Sequence, residues 1–207
     1  LSDGRGSRLE PGELRRSQNW IGPAGCTLAE ATFVPPPPHK VLDCLGQLET
    51  FLHANVGLPA LLEIGLAHAQ FETIHPFLDG NGRVGRLLVT FLLCQAKVLR
   101  EPLLYLSLYL KQNRDEYYEL LNRVRKDGDW ESWIEFFLNG VEQSAESAVS
   151  TARRLADLFE EDRNRIQQEG RAAGSALRVH DVLKQRPVIS LQDVTHRAAL
   201  SFPAASS

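Results

Sequence analysis

The chain has 207 residues, of which 43% are hydrophobic and 24% are charged. This length and composition suffice to bury a core, and they exclude a short peptide, a collagen and a wholly disordered chain. The formal net charge of -3 lacks the basic excess that broad nucleic-acid binding requires, so we expect any partner to be recognised locally.

Three features of the sequence bear on where the protein resides. The longest apolar stretch, Leu87 to Cys94, is less than half of the roughly 18 to 20 residues that span a bilayer, so we expect no membrane partner. The three cysteines are odd in number and lack metal-ligand spacing, and no leader pattern opens the chain, which favours a reducing cytoplasm. The sequence begins at Leu1 and contains no methionine, so we expect a fragment of a longer protein.

The first forty residues are rich in turn formers. Residues 1–12 are Gly, Ser and Arg rich and predict an extended arm. Two β-capable runs, 19–22 and 31–34, flank a Gly-Pro-Ala-Gly turn and predict a β-hairpin. Pro35 to Pro38 stand directly before a helical pattern, where proline is tolerated, so we favour a structural role for them over a polyproline ligand.

Apolar side chains recur at helical spacing over most of the remaining chain, which predicts an all-α protein. The pattern divides into a main domain over 13–145, a connecting helix and linker over 146–174, and a partial module over 175–207. The predicted helices begin at Val41, near Pro59 and near Gly82, and then cover 112–126, 130–139, 141–168, 177–184 and 191–199.

The segment that carries chemistry is 73–86, TIHPFLDGNGRVGR. A proline and a Gly-Asn-Gly turn end one helix, and the next begins near Gly82, so its unpaired backbone N–H groups point into the loop and can bind an anion. Arg83 and Arg86 fall in the first turn of that helix, where their guanidinium groups can reach adjacent phosphates. Because arginine opposes the helix dipole at this end, the placement indicates an anionic ligand.

Two further side chains of this segment predict its reaction. Asp79 is a hard oxygen donor suited to hold Mg²⁺ against phosphate oxygens. His75, with an ordinary pKa of about 6.5, can take a proton from an incoming hydroxyl at neutral pH. Together these residues predict nucleotidyl or phosphoryl transfer.

Other site types fit the same residues less well. Gly80, Gly82 and Gly85 match the spacing of a dinucleotide-binding turn, but they follow a helix and a loop, and no acidic residue stands about 20 positions beyond. A phosphate-binding P-loop would need a Lys-Ser or Lys-Thr pair, and a kinase would need its catalytic loop. His68 and His75 lack a carboxylate at zinc-protease spacing, so we predict that His68 is a hydrogen-bonded core histidine.

The run from His75 to Arg86, HPFLDGNGRVGR, resembles the signature of Fic domains, HPFx(D/E)GN(G/K)RxxR, at every fixed position. Gln18 to Gly22, with Phe33-Val34 and the prolines, is similar to the β-hairpin flap of many bacterial members, and Tyr117 to Leu121 is similar to a later helix. The resemblance covers about 12–141 and implies an all-α Fic-type helical core with a β-hairpin flap, followed by a long helix.

The resemblance implies a protein adenylyltransferase that moves AMP from ATP to a Ser, Thr or Tyr hydroxyl of a target protein. It makes His75 the general base and Asp79 the ligand of Mg²⁺, with Arg83 on the β-phosphate and Arg86 on the γ-phosphate. The remaining implied residues are the phosphate-binding Gly80, Asn81 and Gly82, the target-docking Thr32 and Phe33, Tyr117 at the adenine with helix packing as its alternative, and Arg125 where some members carry an adenine-facing Asn.

The last residues, 175–203, are similar to winged-helix modules that follow the catalytic domain in some bacterial members. Two helices around Pro187 to Ser190 fit helix-turn-helix spacing, but the wing is missing, so DNA binding is expected only if the module is complete. Two alternatives stay open: the same fold removing AMP or using another nucleotide, and a DNA-binding regulator. Self-modification and a homodimer are further possible partnerships.

Many Fic proteins carry an inhibitory helix, (S/T)xxxE(G/N), whose Glu pairs with the second arginine of the signature, which is Arg86 in this chain. Glu169 is the only Glu followed by Gly or Asn, and Arg165 stands four positions before it, so the pattern is absent. We therefore expect the restraint to come from a segment upstream of Leu1 or from another chain, and the sequence as given to be the more active form.

Overall fold

The structure, a computed structural model, describes residues 12–23, 25–54 and 57–206. The predicted extended arm therefore lies almost entirely outside the described residues. The described residues form nine α-helices and no β-sheet, which confirms the all-α prediction. The helices are α1 (Val41–His53), α2 (Ala60–Ile74), α3 (Asn81–Gln95), α4 (Leu106–Gln112), α5 (Arg114–Asp127), α6 (Trp130–Gln167), α7 (Ala173–Gln185), α8 (Leu191–Ala198) and α9 (Phe202–Ser206).

The chain divides into two compact units, and the boundary along the sequence falls between Ala148 and Val149, within α6. The first unit holds α1 to α5 and the first half of α6, and the second holds the remainder. The predicted domain limits at residues 145 and 174 stay a prediction.

Helix α2 is the centre of the first unit, and its apolar residues face two clusters. Ile64 and Ala69 belong to a cluster with α3, α5 and α6, whereas Ala67, Phe71 and Ile74 belong to a cluster with α1. A helix that is apolar on most of its circumference is buried in a core. This burial fixes the end of α2, where the signature segment begins.

The long helix α6 differs from the prediction of two helices separated at Gly140. The helix continues through Gly140, and the glycine allows close packing there. A Cβ at this position would lie 2.6 Å from the ring of Tyr109, which is part of α4. Helix α4, which was not predicted, thereby packs against α6. A glycine inside a helical pattern can mark a close approach instead of a helix end.

The predicted β-hairpin is reduced to one antiparallel bridge between Ile21 and Phe33. The Ile21 carbonyl accepts from the N–H groups of both Thr32 (2.8 Å) and Phe33 (3.1 Å), and this shared acceptor ends the regular ladder. Prolines follow from Pro35 onward and cannot donate to a strand, so the pairing does not extend. We call the segment Trp20 to Val34 the flap.

The second unit has a helix-turn-helix arrangement in which α7, α8 and the unpredicted α9 pack on one another. Ser190 caps α8, because its Oγ accepts from the N–H of Asp193 at 3.2 Å and donates to the Asp193 carboxylate at 2.6 Å. Whether the unit is a winged-helix module stays a prediction.

Two glycine substitutions test the packing argument for α6. We expect Gly140→Ala to lower the free energy of unfolding by about 1 kcal/mol or more, since the new methyl group overlaps the Tyr109 ring. Gly46→Ala, in α1, is the matched control, because nothing lies within 4 Å of its Cβ position. We expect this control to raise stability by about 0.5 to 1 kcal/mol in urea unfolding. Equal changes in the two variants would contradict the packing role of Gly140.

Candidate functional site

The candidate site is the loop 75–80, which joins the end of α2 to the start of α3. His75 caps α2 in the left-handed region, with φ 48° and ψ 61°. A residue other than glycine seldom adopts this backbone conformation unless its surroundings impose it. This left-handed residue ends α2 and begins the short loop that leads to the N-terminus of α3.

The side chain of Arg15 imposes this turn. It is buried, with 2% of the residue exposed, and its Nε donates to the His75 carbonyl at 2.9 Å. Its Nη2 donates to the carbonyls of Ile74 (3.4 Å) and Pro36, and its backbone N–H donates to the Pro76 carbonyl at 2.9 Å. One guanidinium therefore binds consecutive carbonyls of the turn.

Asn19 and Asn81 hold the second half of the loop. Asn19 Nδ2 donates to the Phe77 carbonyl at 2.9 Å. The buried amide of Asn81 accepts from the Phe77 N–H at 2.8 Å and donates to the Phe77 carbonyl at 2.7 Å. The Asn81 side chain is thus committed to the loop, and what it can offer a phosphate is its backbone N–H.

The N-terminus of α3 combines backbone donors with two arginines. Gly80 caps the helix at φ 88°, and its carbonyl accepts from the N–H groups of Arg83 and Val84, both at 3.0 Å. The N–H groups of Asn81 and Gly82, in the first turn, are those that an α-helix leaves for an external acceptor. A Cβ at Gly80 would lie 3.3 Å from Arg83 Nη2, and one at Gly82 would lie 3.0 Å from Arg86 Nη1. Both guanidinium groups therefore lie beside the helix N-terminus, in space that these glycines leave free.

Asp79 forms an ion pair with Arg83 at 3.1 Å, and both side chains are largely exposed. A pair this exposed contributes little to stability, so it can open when a ligand arrives. The described residues contain no cluster of three or more metal-ligating side chains. Because Mg²⁺ commonly binds one or two carboxylates together with substrate phosphates, a single Asp79 beside two arginines fits a magnesium ion that arrives with a nucleotide.

The His75 imidazole is neutral at physiological pH. Its side chain is 19% exposed, and burial lowers its pKa to about 4, with the charges of Arg125 and Arg15 adding to the effect. Nδ1 has no hydrogen-bond partner and lies 3.9 Å from Glu72 Oε2. A neutral ring can accept a proton, which is the state that a general base requires.

Glu72 is a site residue that the sequence analysis missed. It lies in the last turn of α2 with 4% of the residue exposed, and burial raises its pKa to about 7 even though Arg125 and Arg86 act in the opposite direction. The signal in the sequence is its place on the face of α2 that also carries His68 and His75. Arg15 was also missed, since no local pattern distinguishes it from the exposed Arg16.

The prediction that His68 is a hydrogen-bonded core histidine is confirmed. Its Nδ1 donates to the Gly85 carbonyl at 3.1 Å, so its Nε2 accepts from the Tyr117 hydroxyl at 3.0 Å. Its ring stacks on Trp133, at 5.9 Å between centroids. Tyr117 is 4% exposed, which matches its helix-packing alternative. Contact between Tyr117 and an adenine stays a prediction that this burial does not support.

Arg125 connects α5, the end of α2 and the flap. Its Nε donates to Thr73 Oγ1 at 3.2 Å, and its Nη2 donates to the Glu72 carbonyl at 3.1 Å. The same guanidinium lies over the Phe33 ring, 4.0 Å from its centroid, a cation–π contact. Thr32, the neighbouring flap residue, is exposed. The structure thus brings Arg125 and Phe33 together with the signature segment.

These features define a class of protein: a helical domain with a loop whose chemistry suits an anionic ligand. A neutral histidine and a carboxylate lie on the loop 75–80, and two arginines lie near the N-terminus of the helix that follows it. The Fic/DOC family model matches residues 2–93 of the chain.

Curated relatives agree with the family match. The protein adenylyltransferase Fic of Drosophila willistoni is 31% identical over 138 residues, which are 66% of this chain and 24% of that protein. The protein of the same name from Aedes aegypti is 28% identical over 191 residues, which are 83% of this chain and 34% of that protein. The chain thus spans a quarter to a third of the length of these relatives.

A solved structure is also similar. The crystal structure of a Fic family protein from Desulfovibrio desulfuricans G20 superposes with a TM-score of 0.59 at 25% sequence identity, covering 92% of this chain and 51% of that one. The chain described here is a Fic domain protein, as the signature predicted.

A substitution at Arg15 tests how the turn is held. We expect Arg15→Lys to lower the free energy of unfolding by about 2 kcal/mol, because the ammonium keeps the charge but cannot reach the several carbonyls that the guanidinium binds. Arg16→Lys is the matched control; its side chain is 81% exposed, and we expect a change within about 0.5 kcal/mol. A loss of similar size at both positions in urea unfolding would argue against the clamp.

The lowered pKa of His75 predicts a pH dependence of stability. The unfolded state binds the His75 proton below the usual pKa of about 6.5, whereas the folded state binds it only near the folded pKa of about 4. Stability that is present above pH 6.5 is therefore lost as the pH falls toward 4. Relative to His75→Ala, we expect the wild-type free energy of unfolding to fall by about 1.4 kcal/mol per pH unit in this window. A difference independent of pH would contradict the burial of this imidazole.

Proposed function

We propose that this Fic domain is a protein adenylyltransferase, which transfers AMP from ATP to a Ser, Thr or Tyr hydroxyl of a target protein. The observation that carries the proposal is the neutral His75 beside a helix N-terminus that also carries Arg83 and Arg86. The names of the curated relatives support the same activity.

In the proposed reaction His75 accepts the proton of the target hydroxyl as that oxygen attacks the α-phosphate. The bond between the α- and β-phosphates breaks, AMP stays on the target, and pyrophosphate leaves. The neutral imidazole has a free lone pair for this proton, and the hydroxyl becomes strongly acidic as the new bond forms. Partial burial of the ring limits competition from water for its lone pair.

The phosphates are assigned to the N-terminus of α3. The backbone N–H groups of Asn81 and Gly82, with the cap at Gly80, would bind phosphate oxygens, Arg83 the β-phosphate and Arg86 the γ-phosphate. Negative charge accumulates on the leaving pyrophosphate, and donors fixed in place before the reaction stabilise it without rearrangement. Asp79 would hold Mg²⁺, which when bound neutralises charge on the phosphate oxygens.

The flap is proposed as the docking edge for the target. Thr32 is exposed and Phe33 is anchored by Arg125, so an extended target segment could pair along this edge as an added strand. Arg125 is proposed to face the adenine, because it stands where some Fic domains carry an adenine-facing Asn. Tyr117 remains a proposed neighbour of the adenine, although its side chain is buried.

A second candidate function, DNA binding, rests on the α7–turn–α8 arrangement with its Ser190 cap. Removal of AMP, another nucleotide donor, self-modification and a homodimer belong to the same set of proposals.

No helix in the described part of the chain is long and apolar enough to cross a membrane. We propose a reducing, cytoplasmic setting, supported by three free cysteines.

One experiment separates AMP transfer from phosphoryl transfer. The protein is incubated with Mg²⁺ and ATP labelled at either the α- or the γ-phosphate, and labelling of the chain itself and of candidate targets is followed by intact mass. We expect label from the α-phosphate only, and we expect His75→Ala to lower the rate by about 100-fold or more while ATP binding survives.

The matched control is His39→Ala, which removes an exposed histidine outside the loop and should leave the rate unchanged. Label from the γ-phosphate would make the enzyme a kinase, and undiminished transfer by His75→Ala would remove His75 from the reaction.

A further inference from the structure

The carboxyl group of Glu72 is buried without being satisfied. Its Oε1 has no hydrogen-bond partner, and burying an acid in this way costs stability. Gly85 makes the burial possible, since a Cβ at that position would lie 2.5 Å from Oε1. A costly acid in a space kept open for it points to a functional role.

The groups that face this carboxyl come from three helices. At the cap of α2, His75 Nδ1 lies 3.9 Å from Glu72 Oε2, and within α2, His68 Cε1 borders the same space beside Gly85. The remaining charged or titratable neighbours, whose charges act on the Glu72 carboxyl or respond to it, are Arg86 of α3 and Arg125 and Tyr117 of α5. Among these groups, His75 Nδ1 is also without a hydrogen-bond partner.

We propose that Glu72 is a positioning residue for His75: its carboxylate accepts the Nδ1 proton, so that Nε2 carries the lone pair that receives the hydroxyl proton. The inference rests on the proposed function, in which His75 is the base. The Nδ1 proton stays on the ring throughout, and the proton from the hydroxyl goes to Nε2. The 3.9 Å separation would shorten in the complex with substrate, as hydrogen bonds of this kind do when a site fills.

The protonation state of Glu72 then decides which tautomer His75 adopts. An ionised carboxylate accepts from Nδ1–H and leaves Nε2 free to act as a base. A protonated carboxyl donates to Nδ1, which places the ring proton on Nε2 and blocks it. Because burial raises the Glu72 pKa to about 7, transfer should increase across neutral pH, with an apparent pKa that belongs to the pair.

The backbone carbonyl of Glu72 competes with its side chain as an acceptor for the Nδ1 proton of His75. The backbone carbonyl of Glu72 also favours the charged form of His75, and it already accepts from Arg125 Nη2 at 3.1 Å. If this carbonyl takes the Nδ1 proton, the Glu72 side chain is dispensable. The experiment therefore has to separate the side chain from the backbone.

Glu72→Gln makes that separation, because the amide keeps the shape and removes the charge. We expect kcat for AMP transfer to fall by about 10- to 100-fold with little change in the KM for ATP, and the rise in rate across pH 7 to disappear. The midpoint of thermal unfolding should stay the same or rise, since a buried charge is removed. Glu119→Gln, an exposed acid on α5, is the control and should behave as wild type.

A proportional loss of rate at every pH with a lower unfolding midpoint would assign Glu72 a structural role and overturn the inference. Unchanged kcat with the rise across pH 7 retained would overturn it in favour of the backbone carbonyl.

The His75 tautomer gives a readout that does not need catalysis. In protein labelled with ¹⁵N-histidine, with His75 assigned by comparison with His75→Ala, we expect the Nδ1–H tautomer above the pKa of Glu72 and a shift toward Nε2–H in Glu72→Leu, whose side chain has no acceptor for the Nδ1 proton. The same tautomer in both proteins would refute the inference, whatever the activity. Absence of AMP transfer by the wild type, with the tautomer shift present, would refute the proposed function and leave the positioning of His75 standing.

Discussion

The guanidinium of Arg15 and the carbonyls that it binds are the constraint on which the site depends. A left-handed residue other than glycine costs about 1 to 3 kcal/mol, and His75 adopts that conformation at the end of α2. Arg15 offsets this cost by donating to the carbonyls on both sides of the turn. If the turn relaxed, α2 and α3 could keep their own hydrogen bonds, but the loop that begins at His75 would lose its fixed conformation.

The charges around His75 are arranged for an anion. Arg15 and Arg125 lower the pKa of the imidazole beyond the effect of burial, and Arg86 lies near the Glu72 carboxyl. A bound triphosphate would offset this positive charge, and negative charge near an imidazole raises its pKa. In the proposed function, the basicity of His75 would therefore increase when the substrate binds.

Local sequence rules predicted the elements that depend on local chemistry. The starts of α1, α2 and α3 follow from proline, glycine and apolar spacing, and the structure has them within a few residues of the prediction. The helix break at Gly140 was predicted wrongly, and the hairpin is shorter than predicted, for the same reason. From sequence alone, a glycine indicates a helix break and two β-capable runs indicate a hairpin. The contacts that change these outcomes, Gly140 with the Tyr109 ring and the shared Ile21 carbonyl, form only in the folded chain.

In the candidate site, too, local contacts could be predicted from the sequence and distant ones could not. The signature residues follow one another in sequence, so their proximity could be predicted, whereas Arg15 reaches the loop from 60 residues away. His68 shows why such distant contacts matter: its two ring nitrogens join the Gly85 carbonyl on α3 to the Tyr117 hydroxyl on α5. A buried polar chain of this kind has one satisfied geometry, whereas apolar contacts can slide. It therefore fixes the register of α3 against α2, and with it the position of Arg83 and Arg86 relative to His75.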